Sequence, residues 1–218
     1  MTGNEALERL ARSYLDAKDV VIGAGYEHEL TWQQEAADVP VEESDLLAEA
    51  AWVILNSGMR ESVIRPLFAR IAVTFCDFES CERIISMESG CRDSALAVFR
   101  HPRKIDAILA FVRATSRIGA PEMLRRIRYE GPESLYALPF FGPATARHLA
   151  KNIGVEVAKP DRHLRRLADW LGFGDPQQLC HQLADVTGDS VAVVDVVLWR
   201  YSTLVADPLT GFTPHRAA

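Results

Sequence analysis

Apolar residues recur at helical spacing along most of the chain. Between residues 4 and 17, Leu7, Leu10, Ala11 and Leu15 fall on one face of a helix with 3.6 residues per turn. The same periodicity predicts further helices over residues 45–56, 60–74, 80–88, 93–99, 103–118, 121–128, 132–137, 143–153, 162–171, 175–186 and 189–205. The pattern therefore indicates a chain built almost wholly from helices.

Residues 19–32 are the one stretch that could alternate as a strand. Their weak alternation is interrupted by Gly23 and Gly25, which favours a loop over a strand. We expect the helix that follows to be capped by Ser44 or Asp45. Without a convincing strand, the sequence predicts an all-α fold with short connections.

Composition favours a packed protein. The 218 residues are 48% hydrophobic and 25% charged, which suits one domain or two small lobes that share a cleft. No apolar run reaches the length of a membrane span, and residues 1–20 predict an acidic amphipathic helix rather than a signal peptide. We expect a cytoplasmic, nucleoid-associated monomer that does not bind membranes.

The cysteines indicate neither a disulfide framework nor a zinc site. Cys76, Cys81, Cys91 and Cys180 lack the spacing of either arrangement. Free thiols in a reducing compartment are the expected state, and no metal centre is predicted.

Charge is distributed unevenly along the chain. The formal net charge is −6, but residues 1–50 carry three basic and twelve acidic side chains, whereas residues 98–166 carry fourteen basic and six acidic ones. This asymmetry allows a basic, nucleic-acid-binding face on an acidic protein. The alternative is that both runs are simply solvated helix faces.

Residues 135–154, LYALPFFGPATARHLAKNIG, contain a tight turn between two predicted helices. The first helix is expected to end near Leu138, and Pro143 suits the first position of the second. Gly142 is expected to let the backbone turn tightly. The free N–H groups that open the second helix can hold a phosphate without reading a base.

A second informative segment, KPDRHLRRL, follows at residues 159–167. Asp161 precedes a predicted helix that ends at Gly172. An aspartate in that place is most simply an N-cap, which contributes about 1 kcal/mol to stability.

Together, these two segments resemble the helix-hairpin-helix DNA glycosylase superfamily, in particular its endonuclease-III-like branch. The resemblance covers about residues 135–172 and rests on Leu-Pro-x-x-Gly-x-x-x-Ala followed by Asp-x-His-apolar-x-Arg. It departs at Phe140, where the family usually has glycine. It implies that Asp161 is the catalytic carboxylate and that His163 and Arg166 support its helix.

The chemistry that the resemblance implies is excision of a modified base from double-stranded DNA. Breaking an N-glycosidic bond builds positive charge on the sugar, which a carboxylate stabilises while it orients the attacking water. The base must first be flipped out of the stack. The residues expected to contact the DNA are Pro139, Phe140, Phe141, Gly142, Ala144, Arg147, Lys151 and Arg162.

Residue 144 bears on the reaction type. Bifunctional members of the superfamily carry a lysine that matches Ala144, so the resemblance implies a monofunctional enzyme that leaves an abasic site. A displaced nucleophile, Lys151 or Lys159, would instead give lyase activity. The four-cysteine motif that holds an iron–sulfur cluster in some relatives is absent from the sequence, and no cofactor is expected. In related proteins a monovalent cation can occupy the hairpin turn, and such a cation is a further expectation here.

The base pocket is predicted from two further segments. Residues 52–60 resemble the helix and loop that line the pocket in this superfamily, with Asn56, Ser57, Met59 and Arg60 as the candidates. An ordinary helix end is the alternative. Tyr26 and Trp32 are candidate pocket walls, although both residue types are also common in cores.

From the resemblance we expect two helical lobes, one formed by residues 46–157 and the other by residues 1–45 and 158–218, with Asp161 facing the cleft. A non-catalytic DNA-binding protein that uses Asp161 only as a cap is the rival prediction. Which base is excised, and whether the purpose is repair or attack on foreign DNA, stays open at the level of sequence.

Overall fold

The computed structural model describes residues 3–212, with side chains from Glu5 onward. Over this range the regular secondary structure is entirely helical, which confirms the all-α prediction. The α-helices are α1 Gly3–Gly23, α2 Glu27–Glu35, α3 Glu43–Asn56, α4 Glu61–Thr74, α5 Cys81–Ser86, α6 Glu88–Val98, α7 Pro102–Ile118, α8 Ala120–Arg125, α9 Pro143–Asn152, α10 Arg162–Leu171, α11 Pro176–Thr187 and α12 Val191–Leu204. Short 3₁₀ helices cover Cys76–Phe78, Pro132–Leu135 and Pro208–Gly211, and a π-helical turn covers Arg126–Glu130.

Residues 19–32, predicted as a loop, are helical apart from a tight turn, so that prediction was wrong. The buried residues of α1 include Tyr14, Ala17 and Val21, whose helical spacing continues the apolar face beyond residue 19. Gly25, with φ of +90°, supplies only the turn between α1 and α2.

Helix ends also differ locally from the predictions. The N-cap of α3 is Glu42 rather than Ser44 or Asp45, and Asp45 lies in the first turn, where its Oδ2 accepts the Glu42 N–H at 3.0 Å. The helix predicted over 132–137 is shorter: a 3₁₀ turn ends at Leu135, so no helix runs to residue 138.

The chain divides into two compact units. One contains the residues up to Val39 together with those from Gly154 onward, and the other is Pro40–Ile153. We call them the terminal unit and the central unit. The boundaries expected from the sequence were 45/46 and 157/158.

The terminal unit is built around α12. Eight successive residues of this helix, from Val191 to Leu198, are buried, as expected of a helix enclosed on all sides. Helices α1, α2, α10 and α11 pack against it. Asp195 is the charged residue within this run, and it is 2% exposed.

The central unit is built in the same way around α3, in which seven residues are buried. Helices α4, α7, α8 and α9 contact it. Nearby aromatic side chains reinforce this core, with Phe75 and Phe78 stacked at 5.6 Å and Phe68 edge-on to Trp52 at 5.2 Å. Among the described residues, no helix is both long and apolar enough to cross a membrane.

Candidate nucleic-acid interface and catalytic carboxylate

The turn before α9 takes its shape from Phe140 rather than from Gly142. Phe140 has φ of +67°, in the left-handed region that favours glycine. Gly142 has φ of −118° and ψ of −171°, an extended conformation open to any residue. The prediction that Gly142 provides the tight turn was therefore wrong, because the unusual backbone angle lies two residues earlier.

Thr145 closes this turn from within α9. Its Oγ1 accepts the Gly142 N–H at 2.8 Å and donates to the Phe140 carbonyl at 2.6 Å. Because Pro143 has no N–H and Ala146 N–H bonds to the Gly142 carbonyl, the backbone N–H groups of Ala144 and Thr145 are left at the open end of the helix. A Cβ added at Gly142 would meet no atom within 4 Å, so the approach to these N–H groups is open there.

The turn also has carbonyl oxygens, which are the ligands that a monovalent cation requires. The Leu138 carbonyl accepts the Phe141 N–H at 3.2 Å, and the Phe140 carbonyl accepts the Thr145 hydroxyl. Each carbonyl retains a second lone pair, so the donor chemistry fits the cation that the resemblance implies.

The residues predicted to contact DNA differ in how exposed their side chains are. Pro139 is exposed, and Phe140 and Ala144 are half-buried. Phe141 is buried against Phe111, with ring centroids 5.5 Å apart, so its side chain is a core residue rather than a contact.

The basic residues predicted to contact DNA also differ, both in burial and in their partners. Lys151 is 5% exposed, which removes it from the predicted interface, since a buried ammonium cannot meet a phosphate. Arg147 lies 3.7 Å from the Glu133 carboxylate. Arg162 is exposed, belongs to the terminal unit and donates from Nε to His163 Nε2 at 3.2 Å.

Lys104 is a buried residue that the sequence analysis did not identify. It is 2% exposed, and its Nζ lies 2.6, 2.7 and 2.6 Å from the carbonyl oxygens of Ile54, Leu55 and Ser57. The same Nζ lies 5.4 Å from the centre of the Phe140 ring. Burial lowers the pKa of Lys104 to about 8.

These contacts join three loops of the central unit. Besides the Lys104 contacts, His101 stacks on Phe99 at 5.7 Å and meets the edge of Phe140 at 6.4 Å. We call the set the three-loop surface, which consists of residues 57–60, residues 99–103 (a loop and the first two residues of α7) and residues 139–142.

The three-loop surface carries three arginines that form no ion pair with the described residues. Arg60, Arg100 and Arg103 are exposed, and no carboxylate of the described residues lies within ion-pair distance of them. Two other arginines of the unit are paired, Arg92 with Asp106 and Arg113 with Glu88, each at 2.6 Å. Unpaired cations concentrate positive potential, so this surface suits a polyanion.

The candidate pocket residues fall in both units. Asn56 donates from Nδ2 to the Trp52 carbonyl at 2.9 Å, while its buried Oδ1 has no partner among the described residues. Ser57 uses its carbonyl to bind Lys104, and Met59, like Ser57, is half-buried.

The other two pocket candidates, Tyr26 and Trp32, belong to the terminal unit. Tyr26 stacks on the Arg200 guanidinium at 4.1 Å, and Arg200 also forms an ion pair with Glu29. Trp32 is 45% exposed. Nothing in the described contacts brings Tyr26 and Trp32 against each other.

Asp161 is the N-cap of α10. Its Oδ1 accepts the N–H groups of His163 at 2.8 Å and Leu164 at 3.1 Å. Its Oδ2 forms no hydrogen bond with any described residue. The helix ends at Gly172, which has a left-handed conformation. One carboxylate oxygen therefore fixes the side chain, and the other is left for a ligand or water.

The loop that leads into Asp161 is held by two side chains of neighbouring helices. Gln177 accepts the Ala158 N–H at 2.6 Å, and the buried Asp195 accepts the Lys159 N–H at 2.7 Å. These contacts fix the backbone before the helix and therefore the position of the Asp161 carboxylate.

The sequence carried a signal for Lys104, although it is weaker than a motif. Lys104 occupies a position on the same helical stripe as Ile108, Phe111 and Thr115, all of which are buried. A lysine within an apolar stripe predicts a buried ammonium with specific acceptors. No comparable signal identifies Gln177, because its role depends on a loop distant in sequence.

Among the described residues, no three histidine, cysteine or acidic side chains are grouped so that they could hold a metal ion. Comparisons of the chain with protein-family models, curated proteins and solved structures gave no significant match.

Proposed function

We propose that this chain is a monofunctional DNA glycosylase that binds duplex DNA through the three-loop surface and excises a flipped-out modified base. The observation that carries the proposal is the left-handed backbone conformation of Phe140. A phenylalanine holds a left-handed conformation at the position where the superfamily that the sequence resembles usually has glycine. This conformation supports the proposal that the turn before α9 has the shape of the hairpin turn in that superfamily, with phenylalanine in place of glycine.

DNA binding is proposed to begin with phosphate contacts. The N–H groups of Ala144 and Thr145 hold one phosphate, helped by the positive end of the α9 dipole. Arg60, Arg100 and Arg103 contact neighbouring phosphates. Such contacts position the duplex without reading sequence.

Base release is assigned to Asp161. The bond between C1′ of the sugar and the base nitrogen breaks, and its electron pair leaves with the base. Positive charge then develops on the sugar, and the carboxylate of Asp161 stabilises it. Water attacks C1′ and gives its proton to the carboxylate, leaving an abasic site.

A second function is favoured by a specific observation. Asp161 Oδ1 makes two N-cap hydrogen bonds, which is a complete structural role for an aspartate. Under that reading the chain is a DNA-binding protein without catalytic activity. Incubation with duplexes that contain alkylated, oxidised, deaminated or bulky modified bases separates the two, since only a glycosylase releases a free base.

Replacing Arg100 and Arg103 with glutamine is expected to reduce the salt dependence of duplex binding. Loss of two phosphate contacts should lower the slope of log affinity against log salt by about 2. Fluorescence anisotropy with an unmodified duplex at several salt concentrations measures this slope.

The matched control is the double variant Arg92→Gln, Arg113→Gln. It removes the same formal charge from the same unit, but both arginines are paired with carboxylates. Equal loss of slope in the two double variants would mean that net charge, rather than the three-loop surface, governs binding.

Strand breaks are expected only after alkali treatment of the reaction products. The lysine that forms a covalent intermediate in bifunctional relatives is matched here by Ala144, and Lys151 is buried. Denaturing electrophoresis of an end-labelled duplex, with and without alkali, gives the result. Breaks without alkali would contradict the monofunctional assignment, and their loss in Lys159→Ala would identify the nucleophile.

A further inference from the structure

Lys104 holds the C-terminal end of α3 through three hydrogen bonds. An ammonium has three N–H donors, and Nζ lies within 2.7 Å of three carbonyl oxygens, those of Ile54, Leu55 and Ser57. The last carbonyls of a helix have no intrahelical partner and carry the negative end of its dipole. The ammonium therefore matches this end of α3 in both donor number and charge.

No carboxylate in the described part of the chain pairs with this buried charge. Lys104 forms no ion pair with any described residue, and its Nζ lies 5.4 Å from the centre of the Phe140 ring. A buried ammonium is stable only where its donors are satisfied. The three carbonyls therefore satisfy its donors, and the carbonyls and the aromatic face all belong to segments that reach the three-loop surface.

The geometry points to a positioning role: we propose that the Lys104 ammonium fixes residues 57–60 against the turn at residues 139–142, so that the three-loop surface is assembled before DNA arrives. Lys104 is too deeply buried to contact DNA itself. The effect on DNA affinity rests on the proposed function, whereas the effect on the loop does not.

The test uses Lys104→Met and Lys104→Ala in the full chain. In both variants we expect the Met59 amide, which bonds to the Asn56 carbonyl at 2.9 Å, to lose protection from hydrogen exchange by about ten-fold or more. Affinity for an unmodified duplex should fall by about ten-fold as the surface loses its fixed geometry.

Chemical rescue distinguishes the ammonium from general packing. Propylammonium supplies the atoms that Lys104→Ala lacks, so it should restore Met59 protection and duplex affinity in that variant. It should not do so in Lys104→Met, where the space is filled. Wild type in propylammonium and Lys104→Ala in sodium chloride of equal strength control for counterion competition.

Several outcomes would overturn the proposal. Unchanged Met59 protection in both variants would show that the ammonium does not fix the loop, and failure of propylammonium to restore Lys104→Ala would show that the charge is not the acting group. If wild type does not bind duplex DNA, the proposed function fails, while the exchange measurement still decides the role of Lys104. If neither variant folds, nuclear magnetic resonance of wild type decides: a slowly exchanging Lys104 ammonium supports the role, and a rapidly exchanging one contradicts it.

Discussion

Replacing Asp161 with asparagine should lower the rate of base release by about 100-fold or more, while the fold and the affinity for duplex DNA persist. The Oδ1 atom of asparagine can still accept the N–H groups of His163 and Leu164, so the N-cap of α10 is retained. The Oδ2 atom, which bonds to no described residue, becomes an amide nitrogen. The variant therefore removes the charge that stabilises the developing cation without removing the structural role.

Asp175→Asn is a matched control for this experiment. Asp175 is the N-cap of α11 in the same unit, and its Oδ1 accepts the Gln177 N–H at 3.0 Å. Both variants should lose no more than about 1 kcal/mol of unfolding free energy by thermal or chemical denaturation. Only Asp161→Asn should lose base release, measured on a duplex whose modified base wild type removes. Equal activity in Asp161→Asn and wild type would leave Asp161 as a cap alone.

The sequence predicted helices best where both ends carried strong local signals. The range predicted for α10 matches the structure, because Asp161 caps its start and Gly172 takes the left-handed conformation at its end. Residues 19–32 were missed because Gly23 and Gly25 outweighed the helical spacing that continues through Val21. A glycine marks a break in a helix only when the apolar spacing ends there too.

The candidate site was predicted in part. The motif located Asp161 and the turn before α9, but the left-handed backbone of Phe140 could not be read from sequence, because the contacts around it come from Lys104 and His101, more than thirty residues away. The burial of Lys151 was missed for a similar reason. The last turn of α9 is enclosed on all sides, so its polar residues are buried with the apolar ones.

Introducing a carboxylate at Gly142 should weaken binding to duplex DNA by about ten-fold or more, since a helix N-terminus contributes up to about 2 kcal/mol to holding an anion and the new charge repels it. Gly142 has an extended backbone, and a Cβ there meets no atom within 4 Å, so neither Gly142→Ala nor Gly142→Asp should disturb the fold. Gly142 is also the N-cap of α9, a position that favours aspartate and glycine over alanine, so Gly142→Asp should keep the stability of wild type while Gly142→Ala loses about 1 kcal/mol or less.

Gly174 provides the control, because a Cβ there also meets no atom within 4 Å, yet it lies in the loop before α11. Thermal melting followed by circular dichroism compares the stability of the four variants Gly142→Ala, Gly142→Asp, Gly174→Ala and Gly174→Asp, and fluorescence anisotropy at fixed ionic strength compares their duplex affinities. If Gly142→Asp and Gly174→Asp bind DNA equally well, the turn before α9 is not a phosphate site. Weak binding by Gly142→Asp alone, with its own melting temperature no lower than that of wild type, is the result expected if a phosphate approaches the N–H groups of Ala144 and Thr145.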